Sequence, residues 1–464
     1  MKSVAASKIY EYLQQGLDKS KSFSGQRIGA ELKFPLVEQS NGCAVKLETV
    51  NALWQYLSDR GWKPVVDPIT HQVVGATKPG EYNDTVASCE TGFCKAEFSL
   101  AHVGNLHALA QQIDALLTEL RPFANEYQIS FLGCGIHPVS PPSPELVMAK
   151  QRTLAWNSLF PEGEIVNNKP RPGLHLFTVN CGSHVHLSVS SAQEAVGGTN
   201  VFNGFAGAQI ALMANSSVWQ GKVDSEYQCV AEKFWDWWMP DEARVGLPSK
   251  YFTDIKDYGD AIANLRPLYV QRQEIPILIN HYPTFAHYYN CSPATGKYLS
   301  GEEVVVYPEP KDIKLHNSFY WFTARISRYF TIENRLNDQQ PPSHLVCPAA
   351  LSLGLLSALP EAQEELSQFQ WSTLKLMREK AMREGLNGEV EGIALADMAG
   401  RMLELAALGL ERRGLGEEVY LEPLQQRLAS RQNPAIEASN IFNQGGIKAL
   451  IGARDVFHDR LDTV

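Results

Sequence analysis

Four short stretches of the chain alternate apolar with polar or ionisable residues, and they constrain the fold more than any other feature. In RIGAELKFPLV, Ile28, Ala30, Leu32 and Phe34 alternate with Gly29, Glu31 and Lys33. Lys95, Glu97 and Ser99 alternate with Ala96, Phe98 and Leu100, and His184, His186 and Ser188 with Val185, Leu187 and Val189. Thr331, Glu333, Arg335 and Asn337 alternate with Phe330, Ile332 and Leu336, although Asn334 interrupts the apolar side. A period of two belongs to a β-strand, whose successive side chains point to opposite faces. Helical stretches separate these strands too widely for simple hairpins. The pattern therefore predicts an α+β fold in which helices cover one side of a largely antiparallel sheet and leave an ionisable side open.

The helices are legible from their own period. Ile9, Tyr12, Leu13 and Leu17 form a stripe that predicts an N-terminal helix over about 4–18. Leu106, Leu109, Ile113, Leu116, Leu117 and Leu120 form a stronger one, expected to end at Pro122. A mostly buried helix is expected over 200–215, another over 361–384 entered through Pro360, and a third over 393–413 stopped by Gly414. The Pro-rich loop 138–144 and the aromatic-rich segment 234–283 read as irregular, and long loops of this kind often carry function. There is no internal repeat, low-complexity tract or linker-like break. A single domain spanning 1–464 is expected, with its core over about 27–430 and a C-terminal helical extension.

Composition narrows the function. With 44% hydrophobic and 20% charged residues, the chain has the balance of a globular protein. A net charge of −10 argues against a broad nucleic-acid surface while allowing a local basic pocket. No apolar run reaches the length of a membrane span, and MKSVAASKIYEYL lacks the apolar centre of a signal peptide. Eight cysteines are scattered without a CxxC pair, which suggests free thiols in a cytoplasmic protein; Cys89 and Cys94 are the nearest pair.

A single polar strand face is usually just wet. Four such faces lean the other way, because three carry a glutamate (Glu31, Glu97, Glu333) and two of those add a cation, Lys33 or Arg335. Carboxylates gathered at one focus repel each other unless a cation sits between them, and hard oxygen ligands suit Mg²⁺ or Mn²⁺ bearing a nucleotide's phosphates. Arg335 then suits the transferring phosphoryl group. There is no GxxxxGK(S/T) loop and no GxGxxG after a strand. His184 and His186 share a face, but no third soft ligand lies at a zinc-site spacing, so hydrogen bonding to substrate or nucleotide is the better reading. Cys181 lacks a nucleophile elbow and reads as a packed thiol.

The blocks IGAELKF, CETGFCKAEFS, FLGCGIHP, MAKQRT, HVHL, ALMANSSVWQGK, PLYVQR, TIENRLND and GLERRGL follow one another over about 27–430. In that order they resemble the plant and proteobacterial type of glutamate–cysteine ligase, a branch of the carboxylate–amine ligases. The resemblance implies a glutamine-synthetase-like fold, in which a curved antiparallel sheet forms a funnel with helices outside. It implies a reaction in which ATP, held by Mg²⁺, phosphorylates the side-chain carboxylate of glutamate and an amine displaces the phosphate. The partners implied are small molecules, with no nucleic acid or membrane, and a homodimer is left open.

Residue by residue, the resemblance makes Glu31, Glu97 and Glu333 metal ligands, and Lys150, Arg152 and Arg335 phosphate contacts. Glu90, His184, His186 and Asn215 of the ANSS block fall among substrate contacts. Two departures stand out. Lys33 occupies the place of a second family glutamate, and its ammonium is expected to fill the region of a missing ion as a catalytic cation. Ala231 replaces an arginine expected to anchor a substrate carboxylate, with Glu226 where a glycine is expected, and Lys233 or Arg244 is the expected substitute. Other readings open at this point are another nucleotide-dependent transfer and a non-catalytic binding protein.

Overall fold

The computed structural model describes residues 4–20, 25–80, 82–239 and 243–458. A nine-stranded sheet organises it: β1 (Ile28–Glu38), β2 (Lys63–Val66), β3 (Val73–Lys78), β4 (Thr85–Cys89), β5 (Lys95–Ser99), β6 (Ile129–Phe131), β7 (Gly182–Leu187), β8 (Ala324–Ile326) and β9 (Ile332–Asp338). Their order across the sheet is β8–β9–β7–β1–β5–β4–β3–β2, with β6 paired to the far end of β1. Every pairing is antiparallel, and β9 slips register against β7 between Asn334 and Asn337. The predicted α+β class and largely antiparallel sheet are therefore observed, and the four alternating stretches are its four central strands, β9, β7, β1 and β5.

The apolar side of these strands packs against helices. Phe34, Phe98 and Phe131 meet with ring centroids 6.4 Å apart, inside one large hydrophobic cluster that includes Leu109, Leu117, Ala208 and Leu351 from the helices behind. Asn334, the interruption on the apolar side of β9, is partnered there through its amide nitrogen. Its amide donates to Gln209 Oε1 at 2.7 Å and Ser352 Oγ at 3.0 Å, so a polar group crosses the core with partners on two helices. The other side is not a wet face either. Lys33 is 7% exposed and Glu333 2%, because later segments roof the sheet and close a cavity over it.

Several helix boundaries differ from expectation. The helix Leu106–Tyr127 runs through Pro122, since Phe123 and Ala124 continue its buried stripe; it ends at Gln128, whose φ of 52° breaks the helical path. The expected helix over 200–215 is two, Ala192–Gly204 and Ala206–Met213, parted at Phe205. The expected 361–384 helix is also two, Leu359–Leu366 and Trp371–Glu384, with Pro360 in the first turn as expected. Leu395–Arg413 ends on Gly414 at φ 66°, the left-handed cap that glycine adopts without strain.

The segment 234–283 is more regular than its sequence suggests. It holds helix Ile255–Ala263, capped by Asp254, and the hairpin Tyr269–Arg272 with Ile275–Leu278. Its dense aromatics mask the periodicity. Among the described residues, no single helix is long and apolar enough to cross a membrane.

Candidate active site

Strand register decides which side chains meet. Glu97 lies opposite Lys33, Glu31 opposite His184, and His186 opposite Glu333, so the ionisable residues of β5, β1, β7 and β9 form one continuous row. β8 adds Arg325 opposite Glu333. This row floors a cavity of ≈ 590 Å³, a size suited to a small-molecule ligand.

Lys33 is the hub of the floor. Its Nζ lies 3.0 Å from Glu97 Oε2, 3.4 Å from Glu31 Oε2 and 3.1 Å from His184 Nδ1. Burial opposes the ammonium's charge, but Glu97, Glu31 and Glu90 outweigh it and hold the pKa above the usual lysine range. Glu333 is gripped by Arg325 Nε at 2.8 Å and by Arg335, and against the opposing cost of burial these two guanidiniums hold its carboxyl well below the usual range.

The remaining carboxylates divide. Glu97 is pushed upward by burial and by Glu90 and Glu31, despite Lys33 beside it. Glu90, half-buried, stays well below the usual range against the cost of burial through Lys33, a hydrogen bond with Glu97, and Arg152 and Lys150. Lys33 is therefore shared among three carboxylates, and Glu97 carries the mismatch.

A second mismatch sits at His184. Its Nδ1 is 2.8 Å from Glu31 Oε2 and 3.1 Å from Lys33 Nζ. If Nδ1 carries the proton it faces an ammonium; if it does not, its lone pair faces a carboxylate oxygen. Burial and the nearby Lys33 and Arg335 push His184 down to about 4, so the ring is neutral at pH 7. Glu31, His184 and Glu333 each place a ligand atom within 4.8 Å of the others, a spacing at which one divalent ion would resolve the conflict at Nδ1. His186 completes this side, with Nε2 3.1 Å from Glu31 Oε1 and Nδ1 2.9 Å from Thr331 Oγ1.

Lys150 and Arg152 enter from the start of helix Gln151–Leu159. Lys150 Nζ donates to the Cys89 carbonyl at 2.6 Å, and the Arg152 guanidinium lies 5.9 Å from the centre of the Trp156 ring. Lys95, which the sequence reading passed over, also lines the cavity and donates to the Phe177 and Asn180 carbonyls. Ten of the twelve residues singled out from sequence thus converge here: Glu31, Lys33, Glu90, Glu97, Lys150, Arg152, His184, His186, Glu333 and Arg335.

Asn215 and Lys233 do not. The Asn215 amide donates to the Gly133 and Gln339 carbonyls, and its N–H, with Ser216 Oγ, binds Asp338 Oδ2 at 2.7 Å. The ANSS block is therefore a clamp on the end of β9. Lys233 pairs with Asp236 and Glu379 outside the cavity, and Arg244 is buried, donating to the Phe319 and Arg266 carbonyls. Neither replaces an arginine at Ala231, which does line the cavity. Glu226 pairs with Arg383 at the exterior.

Sequence reasoning also missed Arg325, on a strand of only three residues, and Glu232, held by Arg378 at 2.6 Å. It missed the aromatic wall of Trp156, Phe177, Trp235 and Trp321, whose members are far apart in the chain. All eight cysteines are free, and burial pushes the Cys89 and Cys94 thiols up to about 12, which makes them inert.

Comparison with known proteins agrees with this geometry. The family model for glutamate–cysteine ligase family 2 matches residues 27–452. The chloroplastic glutamate–cysteine ligase of Medicago truncatula is 25% identical over 447 residues, covering 94% of this chain and 81% of that protein. Glutamate–cysteine ligase A of Oryza sativa subsp. indica, also chloroplastic, is 24% identical over 428 residues, 90% of this chain and 81% of that protein. These relatives overturn the cytoplasmic expectation, which rested on scattered free thiols; thiols of this kind do not distinguish a cytoplasm from a plastid. The crystal structure of glutamate–cysteine ligase from Francisella tularensis in complex with AMP shares the fold, with a TM-score of 0.55 at 10% identity over 92% of this chain and 86% of that one. With a family match over most of its length and a carboxylate-lined cavity on an antiparallel sheet, the chain belongs to glutamate–cysteine ligase family 2 and is a carboxylate–amine ligase.

Proposed function

We propose that the protein joins the side-chain carboxylate of an amino acid, glutamate first, to an amine at the expense of ATP, through an acyl phosphate. The observation that carries this reading is the convergence of Glu31, His184 and Glu333 to within 4.8 Å beside the Arg335 guanidinium. Those three residues fit a magnesium or manganese ion, which when bound supplies charge neutralisation of the phosphate oxygens. The AMP held by the Francisella protein supports a nucleotide as the phosphate source.

The chain's own groups account for the rest. Arg335 and Arg325 fix Glu333, and Arg335 faces the cavity where charge develops on the transferring phosphoryl group. Lys150 and Arg152 bring positive charge beside Glu90 and are assigned to the nucleotide's phosphates. Lys33 stays charged throughout, orients Glu97 and Glu31, and serves as a fixed cation where a second metal ion would otherwise be required. The test is release of ADP and phosphate from ATP that requires both an amino acid and an amine, with Glu333→Gln as the control. Release that needs neither co-substrate, or survives that substitution, overturns the proposal.

A further inference from the structure

The wall of the cavity differs in kind from its floor. Trp156, Phe177, Trp235, Trp238, Phe319 and Trp321 all line it. Trp235 and Trp321 stack at 5.6 Å, Trp156 meets Trp321 edge-on at 5.0 Å, and Phe177 lies 4.5 Å from Trp235. This wall adjoins the reacting end of the floor on two sides. The Phe177 carbonyl accepts from Lys95, two residues from Glu97 on one strand face, and Trp321 is two residues from Thr323, whose carbonyl accepts the Arg335 N–H at 2.8 Å.

The charge beside the wall is negative. Glu232, one turn before Trp235, lines the cavity and shares Arg378 with Asp236; Asp236 and Glu379 together hold Lys233. Of this cluster Glu232 alone lines the cavity, so a carboxylate and not its partner Arg378 faces the wall. The cations that line the cavity near this end are engaged: Lys95 with carbonyls, Arg325 and Arg335 with Glu333. Arg244 is tied to carbonyls. Arg152, 5.9 Å from the centre of the Trp156 ring, is assigned above to the nucleotide's phosphates, so a second carboxylate, such as an amino-acid acceptor carries, would meet Glu232 with no further cation among the described residues at this end. An ammonium would be attracted both by Glu232 and by the indole faces.

We propose that the amine acceptor is an aryl-alkyl primary amine without a carboxylate, seated against Trp235 and Trp321, and that cysteine is a poor acceptor for this chain. The proposal rests on the ligase reading above. The bound ammonium first gives one proton to solvent; the neutral nitrogen then forms a bond to the acyl carbon, the carbon–oxygen bond to phosphate breaks, and inorganic phosphate leaves carrying the second proton that the nitrogen loses.

The experiment supplies the wild-type protein with ATP, Mg²⁺, glutamate and one of 2-phenylethylamine, methylamine, cysteine or hydroxylamine. Hydroxylamine traps any acyl phosphate as the hydroxamate whatever the acceptor pocket prefers. The expected result is kcat/KM for 2-phenylethylamine about ten-fold or more above cysteine and methylamine, the discrimination one apolar pocket supplies. Trp235→Ala is expected to raise KM for 2-phenylethylamine about ten-fold more than KM for ATP. Quenching of wild-type tryptophan fluorescence by 2-phenylethylamine gives a binding readout independent of that variant's folding. Hydroxamate with cysteine as the preferred acceptor overturns the proposal and leaves the ligase reading intact. A rise in KM for ATP alone assigns the wall to the nucleotide base and also overturns it. Absence of hydroxamate from every mixture overturns the ligase reading itself.

Discussion

Two buried ionic clusters stand side by side in this molecule, and they are built on opposite terms. In the cluster joining helices Val230–Trp238 and Trp371–Glu384, Arg378 grips Glu232 at 3.0 and 2.6 Å and reaches Asp236, which Lys233 also holds. There each carboxylate has its own charged donor: Asp236 sits below the usual carboxylate range, since Arg378 and Lys233 outweigh burial, while burial lifts Glu232 despite Arg378. On the cavity floor, Lys33 serves Glu97, Glu31 and His184 at once; Glu97 is driven upward and His184 Nδ1 has no consistent partner. A matched buried network holds a structure together; a mismatched one is a place where a ligand's charge is needed.

The sharpest break of this contrast comes from Arg378→Met. It strands the buried carboxylate of Glu232 between packed helices, Asp236 keeping Lys233, and is expected to destabilise the fold by about 3–5 kcal/mol. Urea unfolding measures this, and a loss under about 1 kcal/mol would mean the matched cluster is not structural. Glu333→Gln should weigh on activity instead. It keeps the side chain's size and an oxygen for Arg325 and Arg335 but removes the charge they share, so a smaller stability loss of about 1–3 kcal/mol is expected, while ATP-dependent amide synthesis falls on the order of 10²–10³-fold. A collapse of stability with unchanged specific activity would reverse the assignment of the two clusters.

Lys33→Glu probes the floor more finely. The change turns a fixed cation into a carboxylate, a swing of two charges, so the expected outcome is one additional Mg²⁺ bound per chain in the presence of a nucleotide. Isothermal titration of Mg²⁺ gives the stoichiometry directly. An unchanged stoichiometry would remove Lys33 from its role as the substitute for an ion.

The same contrast explains what the sequence disclosed. Glu31, Glu97, Glu333 and the two histidines are visible because strand periodicity puts every second residue on one face, so local spacing already carries the three-dimensional fact. The register then converts four local facts into one row. Arg325 escapes because a three-residue strand has no period to detect. Asn215 and Lys233 are misplaced by their blocks because only tertiary partners, the Gly133 and Gln339 carbonyls or Asp236 and Glu379, decide which way such side chains turn. The aromatic wall is invisible for a further reason. Trp156, Trp235 and Trp321 come from three separate elements, and each alone looks like ordinary core. Helix ends failed where packing overrode a breaker, as at Pro122, or where a buried helix broke without a sequence signal, as at Phe205.

The smallest expected effect separates scaffold from site by pH. His316 does not line the cavity; it is buried beneath Phe285 with ring centroids 4.1 Å apart, and its Nε2 donates to the Ile262 carbonyl at 2.9 Å. Burial pushes it down to about 3, against about 6.5 in an unfolded chain. Above that unfolded value both states are neutral and its contribution to stability is fully present. As pH falls below it, the unfolded chain takes up a proton that the folded protein refuses, so stability is lost progressively towards pH 3 at about 1.4 kcal/mol per pH unit. Thermal melting of His316→Gln between pH 6.5 and 4.5 should show a shallower slope than wild type, whatever the variant does to the midpoint at neutral pH. An unaltered slope would mean that His316 is already protonated in the fold, and that the acid sensitivity arises from the carboxylates or histidines of the floor.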